Sequence, residues 1–401
     1  MKILHVLGGS INSGASKGAL LLHQHLLKLD VDSNVLCEDY SNDAKVFSTS
    51  LDFKDKIQKR YRSLIDKLPK IFYFKRKPSS FSNNIIGYDL QRNKHYQSAD
   101  IIHLHWVNNG FFNLSDLKEI NKPIVWTMRD MWVFTGGCHY SLGCKKYEKK
   151  CFSCPQLSNY FFYDLSSYNQ NRKKKYYNKD IKFVAVSNWL KEKAKNSYLL
   201  KSKNIYQINN IIDKNNFFLE KKIKKNDLIN ITFGAENLNS SYKGLDFFLK
   251  TLKYIDTSKY RFNFFGKLWD FEKIDKLNIN YKYHGYISST KKLRKIYSMT
   301  DIFVACSLED AFPKTFIEAM LCETTVICFK GTVFEEFVKH KKNGYCAEYL
   351  SINDFVRGIN WISENKERMN KLKKLANQTA KLKINGLNSA KKYISLYKKL
   401  I

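Results

Sequence analysis

The sequence of 401 residues lacks any apolar run long enough to cross a bilayer. The chain is also poor in acidic residues, with 37 Asp and Glu against 69 Lys and Arg, for a formal net charge of +32. A signal peptide needs a longer apolar core than the opening MKILHVLGGS provides, so we expect a protein that stays in the cytoplasm. The shortage of negative charge favours polyanionic partners such as nucleic acid, anionic lipid or phosphorylated substrates.

The number of cysteines is odd, nine, and a reducing cytosol favours buried thiols or metal ligands over a disulfide framework. Four of them follow a C-x5-C-x6-C-x2-C pattern in one lysine-rich loop: Cys138, Cys144, Cys151 and Cys154. Four thiolates suit tetrahedral zinc, and such a site would be structural because no coordination position stays open. Buried reduced thiols and a redox-formed disulfide are the alternatives.

At this length the chain exceeds the usual size of a single hydrophobic core, so the sequence predicts two domains. Buried-strand patterns such as KILHVL and DIFVACS alternate with helical patterns in both halves, which indicates parallel βαβ construction. A polar, charge-rich segment over 211–227 marks the boundary. We therefore predict an α/β fold of two Rossmann-like, doubly wound domains facing across a cleft, 1–212 and 213–385, with a C-terminal helix over 386–401 that packs back on the first domain.

The stretch SLEDAFPKTFIEAM contains two carboxylates, Asp310 and Glu318, on either side of a proline. Pro313 suits the first residue of a helix that follows the strand DIFVACS, and the amides near Lys314 and Thr315 would be free to take a phosphate. Flanking carboxylates accept hydrogen bonds from sugar hydroxyls, so the pattern is typical of a site for a sugar linked through a diphosphate to a nucleoside. The alternative is a carboxylate pair that only complements the helix dipole.

This stretch resembles the E-x7-E motif of retaining glycosyltransferases with the GT-B architecture, in particular family 4 enzymes of polysaccharide assembly. The blocks GGSINSGASKGALLLHQHL, ADIIHLHWVNNGF, WTMRDMWVFTGGCHYSLGC and FGAENLNSSYKGLD resemble blocks of that family in the same order. The resemblance covers nearly the whole chain. It implies a retaining, metal-independent transfer of a hexose from a nucleotide diphosphate sugar, bound in the second domain, to a cell-surface glycan or lipid-linked acceptor bound in the first.

For the donor side, the resemblance implies that Glu318 holds the ribose hydroxyls and that Asp310 holds hydroxyls of the transferred sugar. Lys243 would neutralise the leaving diphosphate, where stabilisation of developing charge contributes most to the rate. A solvated surface lysine is the alternative for Lys243. The other donor-side residues implied by the resemblance are Gly234, Gly285, Tyr286, Phe312, Lys314 and Thr315.

On the acceptor side, the resemblance implies roles for two glycines, Gly9 and Gly14, and for His105, Arg129 and Asp130. Arg129 stands where the family usually has a histidine that contacts the transferred sugar. A fixed cation at this position could bind phosphate or an acidic sugar instead. For His105 the alternative is a core histidine with satisfied hydrogen bonds.

The sequence departs from the family pattern at other places too. Asp310 replaces a glutamate, FGAEN lacks the usual cation, and FKGTVFEE keeps only one glycine, Gly331. These departures leave open a degenerate subunit that binds nucleotide sugar or glycan without turnover, and a nucleotide-sugar epimerase on the same fold is a further alternative. A nucleic-acid-binding protein fits the charge alone and explains none of the ordered motifs.

Residues 52–77 are basic and carry interleaved aromatic side chains, among them Tyr61, Phe72, Tyr73 and Phe74. A helix of this composition suits an anionic inner leaflet, which would bring the protein to a lipid-linked acceptor. The alternative is a solvated basic helix whose aromatic residues pack inward. We therefore expect a peripheral protein on the cytoplasmic face of the inner membrane.

Overall fold

The chain forms two compact units in the computed structural model. The model describes residues 1–50, 52–77, 79–158, 163–220 and 228–401. The first unit consists of Met1–Ile211 together with Gly386–Ile401, and the second of Ile212–Asn385. Each unit is built on its own parallel sheet.

The sheet of the first unit has, in the described residues, seven strands in the order β3-β2-β1-β4-β5-β6-β7. These strands are β1 (Lys2–Leu7), β2 (Asp32–Cys37), β3 (Val46–Ser48), β4 (Ile101–Leu104), β5 (Ile124–Met128), β6 (Ile181–Ala185) and β7 (Ile205–Gln207). The neighbouring strands pair in parallel. The strand order reverses between β1 and β4, and ligands of such sheets bind at the carboxyl ends of the strands near this point.

The sheet of the second unit has six strands in the described residues, in the order β10-β9-β8-β11-β12-β13. These strands are β8 (Ile229–Asn237), β9 (Tyr260–Lys267), β10 (Tyr281–Tyr283), β11 (Ile302–Ala305), β12 (Thr325–Phe329) and β13 (Gly344–Ala347). They too pair in parallel. The order reverses between β8 and β11, which places a second switch point there.

Twelve α-helices accompany the strands within the described ranges. They are α1 (Gly14–Leu27), α2 (Phe53–Lys67), α3 (Lys94–Gln97), α4 (Leu165–Tyr176), α5 (Asn188–Lys195), α6 (Leu245–Leu252), α7 (Glu272–Asp275), α8 (Thr290–Met299), α9 (Thr315–Leu321), α10 (Ile352–Ser363), α11 (Lys366–Lys383) and α12 (Gly386–Tyr397). Among these described helices, none is both long and apolar enough to span a membrane.

The predicted fold class, two Rossmann-like doubly wound α/β domains, is confirmed. Central strands of a parallel sheet are covered on both faces, so they appear in sequence as continuous apolar runs rather than as alternating patterns. In β4, β5 and β12 every residue is buried accordingly. Strand β3 was not predicted, because its three residues at the edge of a sheet are too few to form a continuous apolar run.

Helix α12 packs against α1 and so completes the first unit from the far end of the chain. Its buried tyrosines reach the sheet. The Tyr397 hydroxyl lies 2.7 Å from His103 Nδ1, and the Tyr393 hydroxyl lies 2.8 Å from Thr127 Oγ1. The last helix therefore supplies part of the polar and apolar core beneath β4 and β5.

Candidate active site

Two of the predicted donor residues meet at the carboxyl edge of the second sheet. Lys243 follows β8, and its ammonium donates to the Asp310 carboxylate in the loop after β11. The other oxygen of Asp310 accepts from the backbone N–H of Phe312 at 3.2 Å. Lys243 is therefore not the solvated surface lysine that was the alternative.

The ion pair between these residues is largely shielded from water. The side chain of Lys243 is 19% exposed and that of Asp310 is 7% exposed. Burial alone would lower the pKa of Lys243, but the Asp310 carboxylate outweighs it, so the pKa of this ammonium lies above its ordinary value. The site thus holds a permanent positive charge next to a carboxylate.

Backbone contacts fix the loop that carries Lys243. Leu308 N donates to Tyr242 O at 2.7 Å, and the Cys306 thiol donates to Gly244 O at 3.3 Å. Gly244 has a φ of 82°, and a Cβ at this position would lie 2.1 Å from Cys306 O. Only glycine fits here, which explains the glycine of YKGLD. Sequence reasoning missed this contact, although the glycine that follows Lys243 was its signal.

Glu318 lies on α9, a helix of seven residues that begins at Thr315. Its Oε2 accepts from the hydroxyl of Tyr297 at 3.1 Å. Tyr297 belongs to α8 and is fully buried, and burial together with the Glu318 carboxylate raises its pKa well above the ordinary value. Tyr297 stays protonated and can only orient the carboxylate by donating to it. No sequence pattern pointed to Tyr297 as the partner of Glu318.

The loop after β10 carries two of the predicted donor-side residues. Gly285 has a φ of 71° with open space where a Cβ would be, and Tyr286 is 41% exposed. Next to them, His284 Nε2 lies 3.0 Å from Asn263 Oδ1. Burial, helped by the charges of Lys282 and Arg261, lowers the pKa of His284 to about 4. The loop presents an exposed ring and a neutral imidazole at neutral pH.

Other predicted donor residues have packing reasons for their identity. A Cβ on Gly234 would lie 2.0 Å from the ring of Phe265, so the glycine of β8 makes room for that ring. Phe312 is buried and meets Phe337 edge-on, with ring centroids 6.0 Å apart. Lys314 is the N-cap of α9, where its carbonyl accepts from the N–H of Glu318 at 2.9 Å. Their contact with a donor stays a prediction.

In the first unit, the structure brings together His105 and Arg129, which the sequence predicted separately. Arg129 Nη2 donates to His105 Nδ1 at 2.9 Å, and Arg129 Nη1 donates to Asn210 Oδ1 at 2.8 Å. His105 is 2% exposed, and its Nε2 lies 2.9 Å from His5 Nδ1. His105 is thus a buried histidine with both ring nitrogens engaged, as its alternative held. Sequence reasoning missed His5 as a member of this series of hydrogen bonds.

Three histidines of this region, His5, His103 and His105, place their ring nitrogens within 4.8 Å of one another. Such a group could hold a metal ion, but hydrogen bonds already occupy these nitrogens. His103 bonds the hydroxyls of Tyr397 and Thr127, each at 2.7 Å. Of the six ring nitrogens, only His5 Nε2 lacks a partner among the described residues. The group is therefore a hydrogen-bonded network, and we assign it no metal.

The carboxylate of Asp130 is fully engaged by hydrogen-bond donors of the first unit. Its Oδ2 accepts from His139 Nδ1 at 2.6 Å and from Trp106 Nε1 at 3.0 Å, and its Oδ1 accepts from the N–H of Trp132 at 2.8 Å. Trp106 in turn covers Gly9, whose Cβ would lie 2.7 Å from the indole. These contacts give Asp130 and Gly9 structural reasons for their identity, and their predicted acceptor contacts stay predictions.

Gly14 is the first residue of α1. The helix is capped just before it, where Ser13 Oγ accepts from the N–H of Ser16 at 3.2 Å. This glycine lies at the amino end of the helix that follows β1, at the carboxyl edge of the first sheet. The position agrees with an acceptor-side location, and the contact itself stays a prediction.

The four loop cysteines are free thiols that line one cavity of about 20 Å³. Burial raises the pKa of Cys138 well above its usual value and that of Cys151 to about 12. Backbone N–H groups of Gln156 and Leu157 bond the sulfur of Cys154, as they would bond a metal-bound thiolate. No three sulfurs of the described residues lie within 4.8 Å of one another, so a zinc ion would require the side chains to turn inward.

Comparison with known proteins agrees with this fold. Two doubly wound parallel sheets in tandem, with a lysine and two carboxylates at the carboxyl edge of the second, define a GT-B glycosyltransferase. The model described as Glycosyltransferase Family 4 matches residues 12–216, just over half of the chain, and the model described as Glycosyl transferases group 1 matches residues 213–379. The chain belongs to glycosyltransferase family 4.

Two curated relatives come from enteric bacteria. An uncharacterized 41.2 kDa protein in the cps region of Klebsiella pneumoniae is 26% identical over 322 residues, which is 76% of this chain and 80% of that protein. The putative colanic acid biosynthesis glycosyl transferase WcaC of Escherichia coli K12 is 33% identical over 64 residues, 15% of this chain and 16% of that protein.

Among solved structures, HepE of Anabaena in complex with UDP and glucose superposes with a TM-score of 0.65. The superposition covers 100% of both chains at 14% sequence identity. At that identity the likeness shows the fold alone.

Proposed function

We propose that this glycosyltransferase moves a hexose from a nucleotide diphosphate sugar to a cell-surface glycan or lipid-linked acceptor, with retention at the anomeric carbon. The observation that carries the proposal is the buried pair of Lys243 and Asp310 beside the loop that leads to Glu318. HepE was solved with UDP and glucose, and WcaC is named for colanic acid biosynthesis, which supports a nucleotide-sugar donor and a polysaccharide product.

Each side chain of this group has a defined task in the proposed reaction. The Lys243 ammonium stabilises the charge that develops on the leaving diphosphate, and Asp310 keeps that ammonium protonated and in place. Glu318, oriented by Tyr297, accepts hydrogen bonds from the ribose hydroxyls. Both carboxylates are engaged by protein donors, so we assign neither as a covalent nucleophile. The leaving diphosphate then takes the acceptor proton on the face of attack.

The donor site is tested by thermal shift and slow donor hydrolysis with UDP-, GDP- and ADP-sugars. We expect one donor to raise the melting temperature and to be hydrolysed, and both effects to be lost in Glu318→Gln. Glu364→Gln, an exposed carboxylate of the same unit, is the matched control. Binding of a donor without hydrolysis or transfer would support a degenerate subunit, and an epimerised nucleotide sugar among the products would support an epimerase. No response to any donor would overturn the proposal.

We infer that the first unit docks on an anionic membrane surface through residues 52–77. In helix α2 the usual burial pattern of a surface helix is reversed, because its buried residues are polar. Arg62 Nη2 lies 3.4 Å from Glu38 Oε1, and Asp66 accepts from the backbone N–H groups of Ile85 and Asn83. Polar contacts therefore fix the inner face of the helix.

The outer face is apolar. From Phe53 to Ile71, through α2 and the 3₁₀ turn that follows it, large side chains recur every three or four residues, and Phe72 comes directly after. All are exposed by 53% or more: Phe53, Ile57, Tyr61, Leu64, Leu68, Ile71 and Phe72. The alternative, in which the aromatic residues pack inward, is therefore wrong for Tyr61, Phe72 and Phe74, while Tyr73 is half-buried and accepts from Leu165 N at 2.9 Å. An apolar stripe that faces solvent indicates a partner surface.

The charge around this stripe selects the partner. Residues 52–77 contain ten Lys and Arg against three Asp and Glu. A basic rim around an exposed apolar stripe suits the headgroup region of an anionic bilayer, where each nearby lysine or arginine contributes about 1 kcal/mol. These features support our proposal that the protein works at the cytoplasmic face of the inner membrane, where it would meet a lipid-linked acceptor.

Membrane docking is tested by co-sedimentation with vesicles of phosphatidylglycerol and phosphatidylcholine. We expect the wild-type chain to bind, and Phe53→Ser with Phe72→Ser to reduce binding at least about tenfold, since each loses a large buried apolar contact with lipid. Tyr254→Ser, an exposed aromatic residue of the second unit, is the control. Equal binding by the double variant, or release of all wild-type protein by salt alone, would show that the apolar stripe does not insert.

A further inference from the structure

Arg129 is a partly buried cation without a counter-ion. It follows β5 at the carboxyl edge of the first sheet, and in the described part of the chain no carboxylate lies within salt-bridge distance of it. Its two hydrogen-bond acceptors, His105 and Asn210, are neutral. The other N–H donors of the guanidinium have no protein acceptor among the described residues, and the Nε atom is buried without a partner.

The hydrogen bonds fix the protonation of the neighbouring histidines. A guanidinium only donates, so His105 Nδ1 is the acceptor and the proton of this ring lies on Nε2. That proton is donated to His5 Nδ1, which places the His5 proton on Nε2, where no acceptor is present in the described residues. Both rings are neutral, since burial lowers their pKa values well below the ordinary range. The chain orients Arg129 but gives it no negative charge.

Helix α1 packs closely against one side of the guanidinium. Helix α1 passes close to it at Gly18, where a Cβ would lie 2.7 Å from Arg129 Nη1 and 2.4 Å from Asn210 Oδ1. A larger residue at this position would displace Arg129 from its acceptors. A buried or half-buried charge costs several kcal/mol when no partner compensates it, so a site that holds such a charge in a fixed position without a counter-ion is suited to receive an anion.

We propose that Arg129 is the receptor for an oxyanion carried by the acceptor, either a carboxylate of an acidic sugar or a phosphate group. The inference rests on the proposed function in one respect, that the first unit binds the acceptor. His105 is a positioning residue in this site because it accepts from the guanidinium, and His5 acts through its hydrogen bond to His105. A planar guanidinium binds either oxyanion through two parallel hydrogen bonds.

The test uses the full chain without donor and measures melting temperature against three probes, inorganic phosphate, glucuronate and neutral glucose, at constant ionic strength. We expect phosphate, glucuronate or both to stabilise the wild-type protein and glucose to have no effect. Arg129→Lys keeps the charge but loses the planar guanidinium that donates two parallel hydrogen bonds. In this variant, half-saturation should need about tenfold more anion. Phosphate alone would point to a phosphorylated acceptor, and glucuronate alone to an acidic sugar.

Arg129→Met separates binding from a structural role by the sign of its effect. It should raise the melting temperature of the ligand-free protein, because it removes an uncompensated charge, and it should abolish the anion response. Arg172→Met is the matched control. That guanidinium is also half-buried, but it donates to the backbone carbonyls of Asn83 and Asn84, so its loss should destabilise the protein and leave the anion response intact.

Two outcomes would overturn the proposal: no stabilisation by either anion, or equal stabilisation of the wild type and Arg129→Met. A lower melting temperature of ligand-free Arg129→Met together with an unchanged anion response would assign the residue to structure alone. Donor hydrolysis is measured separately in the same variants. Absence of donor hydrolysis in the wild-type protein would count against the proposed transfer reaction. The anion response of the first unit would still decide the role of Arg129.

Discussion

The ammonium of Lys243 and the carboxylate of Asp310 form a buried ion pair between residues that lie 67 positions apart in the chain. Each residue was predicted from its own motif to act on the donor, and the pair joins the two roles. A charge that is to act on a leaving diphosphate has to be kept protonated and stationary before the donor arrives. Asp310 does both.

We predict that Asp310→Asn lowers both activity and stability. Breaking a buried ion pair leaves the other charge uncompensated and costs about 3 kcal/mol. Loss of the positioned cation should reduce kcat by about a hundredfold, the size of effect seen when a group that stabilises developing charge is removed. Urea unfolding and donor hydrolysis measure the two effects.

The double variant Lys243→Met with Asp310→Asn separates these effects. Stability should recover, because neither buried charge remains, while activity stays low. Asp246→Asn is the control, since its pair with Lys273 is exposed on both sides. Full activity in Asp310→Asn would contradict the assignment of this pair to the site.

A second prediction concerns Gly244. Gly244→Ala would place a Cβ 2.1 Å from Cys306 O at a φ of 82°, so both contact and backbone conformation oppose it. We expect a loss of about 3 kcal/mol or more in the free energy of unfolding, and a large loss of activity as the Lys243 loop shifts.

Gly331→Ala is the matched comparison for this change. It has a similar φ of 73° but nothing within 4 Å of the added Cβ, so only the cost of the backbone conformation, about 1 kcal/mol, should appear. Equal destabilisation of the two variants in chemical denaturation would show that the contact with Cys306 is unimportant.

The buried histidines should make the protein acid-sensitive. His5, His103 and His105 have pKa values well below the ordinary range, chiefly because of burial, with the neighbouring histidines and Arg129 lowering them further. The folded state therefore stays unprotonated there while the unfolded chain binds protons. Stability is full above the unfolded value near pH 6.5 and falls as the pH drops toward the folded values.

Each of these histidines contributes a slope of about 1.4 kcal/mol per pH unit well below pH 6.5. His103→Gln should therefore reduce the slope of unfolding free energy against pH, between pH 6 and 5, by about one proton. Tyr397→Phe removes the hydroxyl that bonds His103 but no group that titrates in this range, so its slope should match the wild type. An unchanged slope in His103→Gln would show that His103 is already protonated in the folded protein.

The fourth prediction concerns the thiol cavity. We propose that Cys138, Cys144, Cys151 and Cys154 bind one zinc ion after their side chains turn inward, because four thiols and backbone donors already surround a space of about 20 Å³. Protein purified without chelator should contain one zinc per chain by mass spectrometry. Cys151→Ser should lose it and melt at a lower temperature, whereas Cys322→Ser, in the second unit, should keep it.

Zinc-free protein whose four thiols react equally fast with and without a chelator would assign these cysteines as buried thiols. A loss of free thiols on mild oxidation, reversed by reductant, would instead assign a redox-formed disulfide. Either result would remove the metal from the description of this loop.

The fold could be predicted from the sequence because strands covered on both faces are apolar runs, continuous in β11 and interrupted by a single polar residue in β4 and in β5. The same physics explains the omission of β3 (Val46–Ser48), whose few residues at a sheet edge carry little burial. For residues 52–77 the sequence predicted a basic helix with interleaved aromatic side chains but not which of its sides faces the protein. Arg62 and Asp66 decide that question through contacts with distant residues, which no local pattern contains.

The site was predictable only as single residues. Asp310 and Glu318 were marked by their spacing, and Lys243 by its block, but their partners depend on tertiary contacts. Tyr297 looks like any other apolar position of its helix until its hydroxyl meets Glu318. His105 and Arg129 lie at the ends of adjacent strands, so their proximity follows from the fold. Which ring nitrogen of His105 accepts from Arg129 depends on the orientation of the two side chains, which no sequence pattern contains.

The return of α12 to the first unit has a consequence for biosynthesis. Amino-terminal domains usually fold first as a chain leaves the ribosome. Here the tyrosines that cap His103 and Thr127 are supplied by the last helix, so the first unit cannot close its core until the second has been synthesised. A nascent chain arrested before residue 386 would carry a complete donor-side unit attached to an unfinished partner, and would be a natural substrate for chaperones.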